Sequence, residues 1–585
     1  MEGIFNLTNR AFERNNVQLH YIGDFFSNSS PNDIISEYAK KGKSYFQSLK
    51  VDFALVFSDS DYLYLVRDIF GNVPLYYFIF EKNVVFSDNI ISLVESEFYL
   101  KEINYTEVYA YFNLKNYQSN DYTSETFWKG IYAVLPGHVI SISNDLVIKQ
   151  ESFFQFNSLE ATIIDPFDSF KQLLSESIKN KADLKATISA DLSGGIDSSS
   201  LASLTQFLSK KTINTIEFRT NNEIIEERDY AQTVVNKWKT NHAIVSDFDS
   251  FYENEKKFAL ITGKPSNPFM VAARELKVAD LIKQNQSKYI LTGQGGDDIL
   301  GFRELYLEEL FRNKKYIELK SALKQIFLLF HSDNDSITKY DFTVNYLISK
   351  SKFLLTQRSY TQFLHFFYKS SSIWIKVLIF TKLLINKFKK RKLELELFKS
   401  KIENKASSKL TLNTQLLKVI PAIERDYILE IFKKSPIRNK ESQYHIGKHF
   451  GFNYVYPYYD VSIINFFISI PREINFGKGI ARFVIRESLK GILPDEIRKR
   501  VSKTDFGPFL LIVFKEVYSG FKLEFTESHI LWETISYDSF SKMKEAIIYS
   551  SYEEIENDST KKNYLTVLLK VMYFGIWLDT FFSKK

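Results

Sequence analysis

The chain has 585 residues, 45% of them hydrophobic and 25% charged, a globular composition that excludes a disordered, collagen-like or coiled-coil protein and calls for more than one core at roughly 100 to 200 residues per domain. Lys and Arg total 76 against 70 Asp and Glu, a net charge of +6, and no long basic block tracks a nucleic-acid backbone, so no nucleic-acid partner is expected. The absence of cysteine removes thiolate nucleophiles, thiolate metal sites and disulfides together, leaving oxygen or histidine to hold any metal.

The first residues, MEGIFNLTNRAFERNN, are charged early and lack a continuous apolar run, so no signal peptide is expected. From about Gln18 to Ile148, short runs rich in Phe, Tyr, Val and Ile alternate with Asp, Asn and Gly turns, as in FALVFSDSDYLYLVRD. This predicts a strand-rich first domain. Beyond Phe167 the period lengthens toward helical spacing, with strands predicted at Ala186–Leu192, Thr212–Phe218 and Tyr289–Thr292. That pattern is an α/β domain with a parallel sheet. From Arg303 to about Lys440 the chain reads as almost wholly helical. Its most apolar stretch, Ile373 to Phe388, is interrupted by Lys376, Lys382 and Lys387 and is short for a bilayer, so no membrane span and a cytoplasmic enzyme are expected. Ile373 to Lys392 reads as an amphipathic helix with a solvated basic end, in preference to a receptor for a peptide or a protease.

Two Gly-rich turns carry the chemistry. Ser193-Gly194-Gly195-Ile196-Asp197-Ser198 follows the strand ATISADL and opens the helical run SSLASLTQFL. Two glycines let the backbone approach a phosphate, and free N–H groups at a helix N-terminus favour negative charge. Ser193 and Ser198 add hydroxyl donors, while Asp197 in such a turn suits a divalent cation lying between carboxylate and phosphate. Taken alone, the motif also fits a serine-capped turn on an ordinary βα connection. No G-x-x-x-x-G-K-[ST] occurs, so this is not a Walker loop. The second turn, Gly293-Gln294-Gly295-Gly296-Asp297-Asp298, follows the strand YILT and has Asp298 where a dinucleotide fingerprint has its third glycine. Both turns can meet at the carboxyl edge of one parallel sheet, where such folds bind ligands, with Asp197 and Asp297 sharing one Mg2+ on a pyrophosphate.

These two motifs in this order resemble the asparagine-synthetase-like ATP pyrophosphatase family. The resemblance continues in Val66 to Tyr77 (VRDIFGNVPLYY), Phe86-Ser87-Asp88, Gly130-Ile131 and Leu135-Pro136-Gly137-His138, which are similar to the family's N-terminal amidotransferase-type domain. Tyr456-Pro457-Tyr458-Tyr459-Asp460, and Leu493-Pro494 followed by Arg498 to Phe506 (RKRVSKTDF), are similar to its C-terminal motifs. The resemblance implies an α/β fold. Residues 1–155 would form a strand-rich, degenerate class II glutamine-amidotransferase-like domain. Residues 160–585 would form an ATP pyrophosphatase (adenine nucleotide alpha hydrolase-like) synthetase domain with a long helical insertion at about 303–440. It further implies ATP and Mg2+ as cofactors. Leu192, Ser193, Gly194, Gly195, Asp197, Ser198, Gly293, Gln294 and Gly295 would lie on ATP and its pyrophosphate, with Asp197 and Asp297 as metal ligands. Lys503 would stabilise charge on the α-phosphate and on the later tetrahedral centre.

Departures from the family pattern carry the functional reading. Glutamine-using members have a nucleophilic cysteine after the initiator methionine, where this chain has Glu2. A carboxylate cannot take over the thiol's roles, so glutamine hydrolysis by that route is excluded and the first domain reads as a structural or docking lobe. Gln294 stands where asparagine-forming relatives have a glutamate and β-lactam-forming relatives a tyrosine that helps deprotonate the attacking amine, and glutamine has no useful pKa. Asn453 stands where a glutamate usually precedes the C-terminal motif. Lasso peptide cyclases, which lack glutaminase function and carry extra helical material, then match best. The implied activity is an ATP-dependent macrolactam (isopeptide) synthetase that joins a precursor peptide's N-terminal amine to an internal Asp or Glu, releasing AMP and pyrophosphate. A leader-peptide protease or leader-binding protein would be its partner. An ammonia-dependent asparagine synthetase or small-molecule amide or β-lactam synthetase is the alternative, and a non-catalytic ATP- or peptide-binding scaffold a further one. Glu441, at about the distance upstream of Tyr456 of the glutamate that pairs with the catalytic tyrosine in β-lactam-forming relatives, is the candidate base or orienting group. A surface carboxylate fits its sequence context equally well. His445 and His449 share a helix face but lack a zinc-site context, so packing or surface roles are expected.

Overall fold

The structure, a computed structural model, describes residues 12–14, 17–22, 31–59, 61–112, 122–154, 156, 163–219, 228–245, 250–268, 272–300, 303–330, 397, 425, 428–429, 431–501, 511, 514 and 525–582. The predicted strand-rich first domain is built from β1 (Phe12–Arg14), β2 (Val17–Ile22), β3 (Ala54–Ser58), β4 (Tyr62–Arg67), β5 (Tyr76–Phe80), β6 (Asn83–Ser87), β7 (Tyr132–Ala133), β8 (His138–Ser143) and β9 (Ile148–Ser152). Six of these form one antiparallel sheet in the order β1-β2-β3-β4-β8-β9, and three form a second in the order β6-β5-β7. Successive strand residues point to opposite faces, and here both faces are covered. Ala54, Val56, Leu63 and Leu65 pack with Leu75, just before β5, and Val84 of the smaller sheet, while Leu55 and Phe57 pack with Ile34, Ile35 and Phe46 of the helices Pro31–Lys41 and Ser44–Ser48. That double burial explains why β3 reads as a continuous apolar run.

The second domain holds a parallel sheet of β10 (Ile188–Asp191), β11 (Asn214–Phe218), β12 (Asn241–Val245), β13 (Tyr289–Leu291) and β14 (Asn453–Val455), ordered β12-β11-β10-β13-β14. The three strands predicted from sequence are its central ones. The two edge strands escape the pattern for different reasons. β12, NHAIV, is a partly exposed edge without alternation, and the three residues of β14 gain strand geometry only by pairing Asn453–Val455 with Tyr289–Leu291. Because β10 and β13 are neighbours in register, with Ala190 opposite Leu291, the turns that follow them emerge side by side at one sheet edge.

The helix Pro166–Lys181 starts with Pro at its first turn and Asp165 as N-cap, whose carboxylate accepts from the Phe167 and Asp168 N–H groups. Of the predicted helical segment, Arg303–Arg312, Tyr316–Phe330 and the start of Lys434–Phe450 are described. Between 331 and 424 only residue 397 is described, so the stretch 373–392 lies outside the described residues. A different helix is long and apolar enough to cross a bilayer, namely Thr560–Phe581, and 72% of its most apolar window is buried inside the protein. It is a core helix joining the domains. Trp577 lies 5.2 Å from Trp128 of the first domain, and both indole N–H groups donate to the Gly263 carbonyl, at 3.2 and 2.7 Å.

Candidate active site

The first glycine turn is held open by its own serines. The Leu192 N–H donates to the Ile216 carbonyl at 2.9 Å, ending the strand. The Ser193 N–H then donates to the Ser198 hydroxyl oxygen at 3.2 Å, the two hydroxyls lie 3.0 Å apart, and the Gly195 N–H reaches the Ser193 hydroxyl at 3.3 Å. Gly194 takes φ +83°, which an L side chain resists. Gly195 starts the helix Ile196–Leu208 without any side-chain cap, so that helix presents N-terminal donors to a ligand.

The second turn packs directly on the first. A Cβ on Gly293 would sit 2.9 Å from the Ser198 backbone nitrogen, one on Gly296 would collide with the Asp197 carboxyl group, and one on Gly295 would sit 2.8 Å from the Tyr459 ring. The glycines are therefore what lets two acidic turns share a space. We expect Gly293→Ala to weaken Mg–ATP binding about tenfold or more, since its overpacking cost of ~1–3 kcal/mol must separate the turns; titration calorimetry checks this. Tyr458 and Tyr459 brace the pair from the C-terminal motif. The Tyr458 hydroxyl donates to the Asp197 carbonyl at 2.8 Å and the Tyr459 hydroxyl to Asp298 Oδ2 at 3.3 Å. Asp460 caps the next helix, Val461–Ser469.

Asp197 and Asp297 converge on one cation. Arg482 Nε lies 3.2 Å from Asp197 Oδ1 and its Nη2 lies 2.6 Å from Asp297 Oδ1. This guanidinium marks where positive charge is needed between the two carboxylates. Two carboxylates fit Mg2+, which prefers one or two of them plus phosphate oxygens and water. Among the described residues no group of three or more Asp, Glu or His side chains could hold a metal, so phosphate and water would complete any shell.

Arg482 was not singled out from the sequence. It sits after Gly477-Lys478-Gly479 in a left-handed conformation, φ +61°, and only the tertiary fold brings it to residues 285 and 185 positions away. Gln294 lies on the second turn, its N–H donating to the Thr292 hydroxyl at 3.2 Å. Lys503 and Glu2 lie outside the described residues.

Glu441 needs correction. It is not a surface carboxylate, and the three cations around it oppose its acting as the base. It is fully buried, with Arg67 Nη2 at 3.1 Å, Arg438 Nη1 at 3.0 Å, Lys264 Nζ at 3.4 Å and the Tyr122 hydroxyl donating to it. Burial alone would raise its pKa, but Arg438, Lys264 and Arg67 outweigh that and hold it well below the usual carboxylate range. A carboxylate held there does not collect a proton from an amine. Its place is an interdomain tie between the helix Lys434–Phe450 and β4. His445, on the same helix, is also buried, its Nε2 3.2 Å from the Tyr76 hydroxyl. Burial pushes its pKa down to about 4, so it packs as a neutral ring. His449, one turn further on, is exposed.

Residues 169–519 match the family described as Asparagine synthase, and residues 10–154 match the Glutamine amidotransferase domain. The chain belongs to the asparagine synthase family. It therefore combines an amidotransferase-like N-terminal domain with an ATP pyrophosphatase-type synthetase domain, in a family of ATP-using ligases. Among similar proteins, "Amidase chry2" of Gibberella zeae is 26% identical over 212 residues, 34% of this chain and 30% of that protein. "Asparagine synthetase [glutamine-hydrolyzing] 2" of Bacillus subtilis is 24% identical over 290 residues, 46% of this chain and 38% of that protein. The chain thus spans about a third of the length of the curated relatives it matches. The solved NH3-dependent NAD synthetase of Campylobacter jejuni aligns with 39% of this chain and 96% of its own, at 14% identity and a TM-score of 0.19, a score at which the superposition carries no argument. For this member of the asparagine synthase family, the site rests on the two joined turns.

Proposed function

We propose that this member of the asparagine synthase family is an AMP-forming carbon–nitrogen ligase, and that it closes a macrolactam on a precursor peptide. The convergence of Asp197 and Asp297 on one cation, beside an uncapped helix start and two glycine turns, carries the ligase reading. The turn N–H groups and the Ser193 and Ser198 hydroxyls bind the β- and γ-phosphates of ATP, and Asp197 and Asp297 would hold Mg2+ there. When bound, that ion supplies charge neutralisation on the leaving pyrophosphate. A carboxylate oxygen of the substrate attacks the α-phosphorus. The new O–P bond forms as the bond to pyrophosphate breaks, giving an acyl adenylate. Lys503, on family resemblance, stabilises charge on the α-phosphate. An amine then attacks the acyl carbon, and AMP leaves.

The peptide reading is supported by what the chain lacks for the alternatives. Without cysteine there is no thiol to free ammonia from glutamine, which leaves free ammonia as the nitrogen source of an asparagine-forming reading, and Gln294 cannot act as the base expected in such a site. A precursor peptide that carries its own amine needs no ammonia source, and a leader-binding protein or leader protease is the partner that would deliver it. The test is to incubate the protein with Mg–ATP and either the linear core peptide encoded beside its gene or aspartate plus ammonia, following AMP and product mass together. AMP accompanied by a peptide lighter by one water is expected. Aspartate-dependent AMP with asparagine appearing would replace the peptide reading by the asparagine one, and no AMP with either would leave only a binding scaffold.

A further inference from the structure

Beneath the second glycine turn lies a cavity of about 230 Å3, well under the roughly 300–1,000 Å3 of a drug-sized ligand site. Asp191, the last residue of β10, faces it together with Arg274 and Glu275 of the helix Ala272–Gln284, Thr292 and Gln294 of the turn, and Gln443 of the helix Lys434–Phe450. One buried donor there lacks an acceptor: Arg274 Nε is buried and makes no hydrogen bond. Gln443 lines the cavity as well, its Oε1 accepting from the Tyr456 hydroxyl at 2.8 Å. A buried donor left without an acceptor is costly unless a ligand or water completes it.

The charges narrow the ligand further. Asp191 and Glu275 against Arg274 leave a net charge of minus one by simple count of these three groups. A phosphate is repelled there, and a zwitterionic free amino acid leaves the negative charge unbalanced. A peptide amino terminus brings one positive charge, and beside it a neutral carbonyl that accepts hydrogen bonds. That combination matches two carboxylates flanked by the unfilled Arg274 Nε and the Gln443 amide. The volume suits one terminal residue, with the rest of the chain outside.

We propose that this cavity receives the N-terminal residue of the substrate peptide, its α-ammonium between Asp191 and Glu275 and its first carbonyl on Arg274 and Gln443, and that Asp191 takes the proton the amine must shed. The inference rests on the macrolactam reading and supplies the proton acceptor that neither Gln294 nor Glu441 can be. The ammonium loses two protons on becoming an amide nitrogen. The first passes to the Asp191 carboxylate before attack. The amine lone pair then forms the C–N bond, the acyl C–O bond to AMP breaks with its electron pair leaving on the phosphate oxygen, and that oxygen takes the second proton. Burial raises the Asp191 pKa to about 6, with Arg274 lowering and Glu275 raising it, close to the value a base working near neutrality needs. The other titratable group facing it is Tyr454 of β14, whose hydroxyl donates to Glu275 Oε2 at 3.4 Å.

Binding is tested on the full chain by saturation-transfer NMR with glycinamide and N-acetylglycinamide. Wild type is expected to bind glycinamide at least ~10-fold more tightly than its acetylated form, and Asp191→Asn to abolish that preference, consistent with loss of a charged hydrogen bond. Equal affinity for the two probes, or a preference unchanged in Asp191→Asn, overturns the cavity assignment. With the core peptide, Asp191→Asn is expected to keep ATP–pyrophosphate exchange within about threefold while amide formation slows ~100-fold or more; amide formation at the wild-type rate overturns the proton role. Gln443→Leu, which leaves the carboxylates intact, is expected to weaken glycinamide ~3–10-fold, and provides the binding readout if Asp191→Asn fails to fold. Absence of AMP from wild type with the peptide would sink the macrolactam reading itself, while the glycinamide comparison would still decide whether the cavity is an amine site.

Discussion

Asp197→Asn is expected to lower ATP–pyrophosphate exchange by about a thousandfold or more, the scale of losing a principal group for charge stabilisation in phosphoryl chemistry. The amide keeps the volume of the carboxylate but cannot anchor a cation against the phosphates. Asp297→Asn should act in the same direction. The fold should survive both changes. Asp297 is 67% exposed and its pair with Arg482 is screened by solvent, so its contribution to stability is small. Asp197 lies at the first turn of a helix whose start is otherwise held by serines. An unchanged thermal midpoint together with lost exchange is therefore the expected pattern, and wild-type exchange in Asp197→Asn would remove the basis for the ligase reading. The magnesium dependence of ATP affinity gives a second readout, since a variant that only disturbed the turn would weaken ATP binding without changing that dependence.

Glu441→Ala is expected to destabilise the chain by ~3–5 kcal/mol, because removing one partner of a buried ion cluster leaves the others uncompensated. Arg67, Arg438 and Lys264 would then share an enclosed site with only Glu107, 3.7 Å from Arg438, as a counter-charge. The pH dependence has a definite sign. The folded pKa of Glu441 is depressed, so its contribution is fully present above the unfolded value of ~4.3 and is lost as pH falls below that toward the folded pKa. Denaturant titrations of wild type and Glu441→Ala should therefore differ most above about pH 5 and converge in acid. A difference that grew on acidification would contradict the cluster's role. Since Glu441 joins the helix Lys434–Phe450 to β4, the loss should also loosen the two domains, which limited proteolysis would detect.

Double coverage of β3 and β4 has a bearing on what the first domain is for. A lobe whose strands bury both faces, and whose Arg67 and Trp128 reach the synthetase domain, is part of the structural core even without a thiol. Replacement of Trp128 by Ala, which would open space beside Trp577 in the core helix, fits the ~3–5 kcal/mol range for deleting a buried aromatic, and thermal unfolding would measure it.

The elements legible in the sequence are those whose physics is local. Strand, glycine turn and helix start lie within about ten residues at Ser193–Ser198, and the conformations and hydroxyls that shape the turn belong to that same segment. The alternating first domain and the central strands β10, β11 and β13 were readable for the same reason. β12 and β14 were not, because an exposed edge and a three-residue strand take their geometry from a neighbour. Glu441 shows the limit most clearly. Its sequence context allowed a base or a surface carboxylate, yet beside the local Arg438 its partners Arg67 and Lys264 are 374 and 177 positions away, and only the fold brings them together to keep it ionised and structural. Arg482 between the two aspartates, and Asp191 beside Arg274 and Glu275, are decided the same way. The sequence by itself determined where the two glycine turns lie and how they bend, since backbone conformation is set by adjacent residues. Which carboxylates meet at Arg482, which ties domains together and which faces a cavity was decided only by the tertiary structure, because charge and burial act through space between residues distant in the chain.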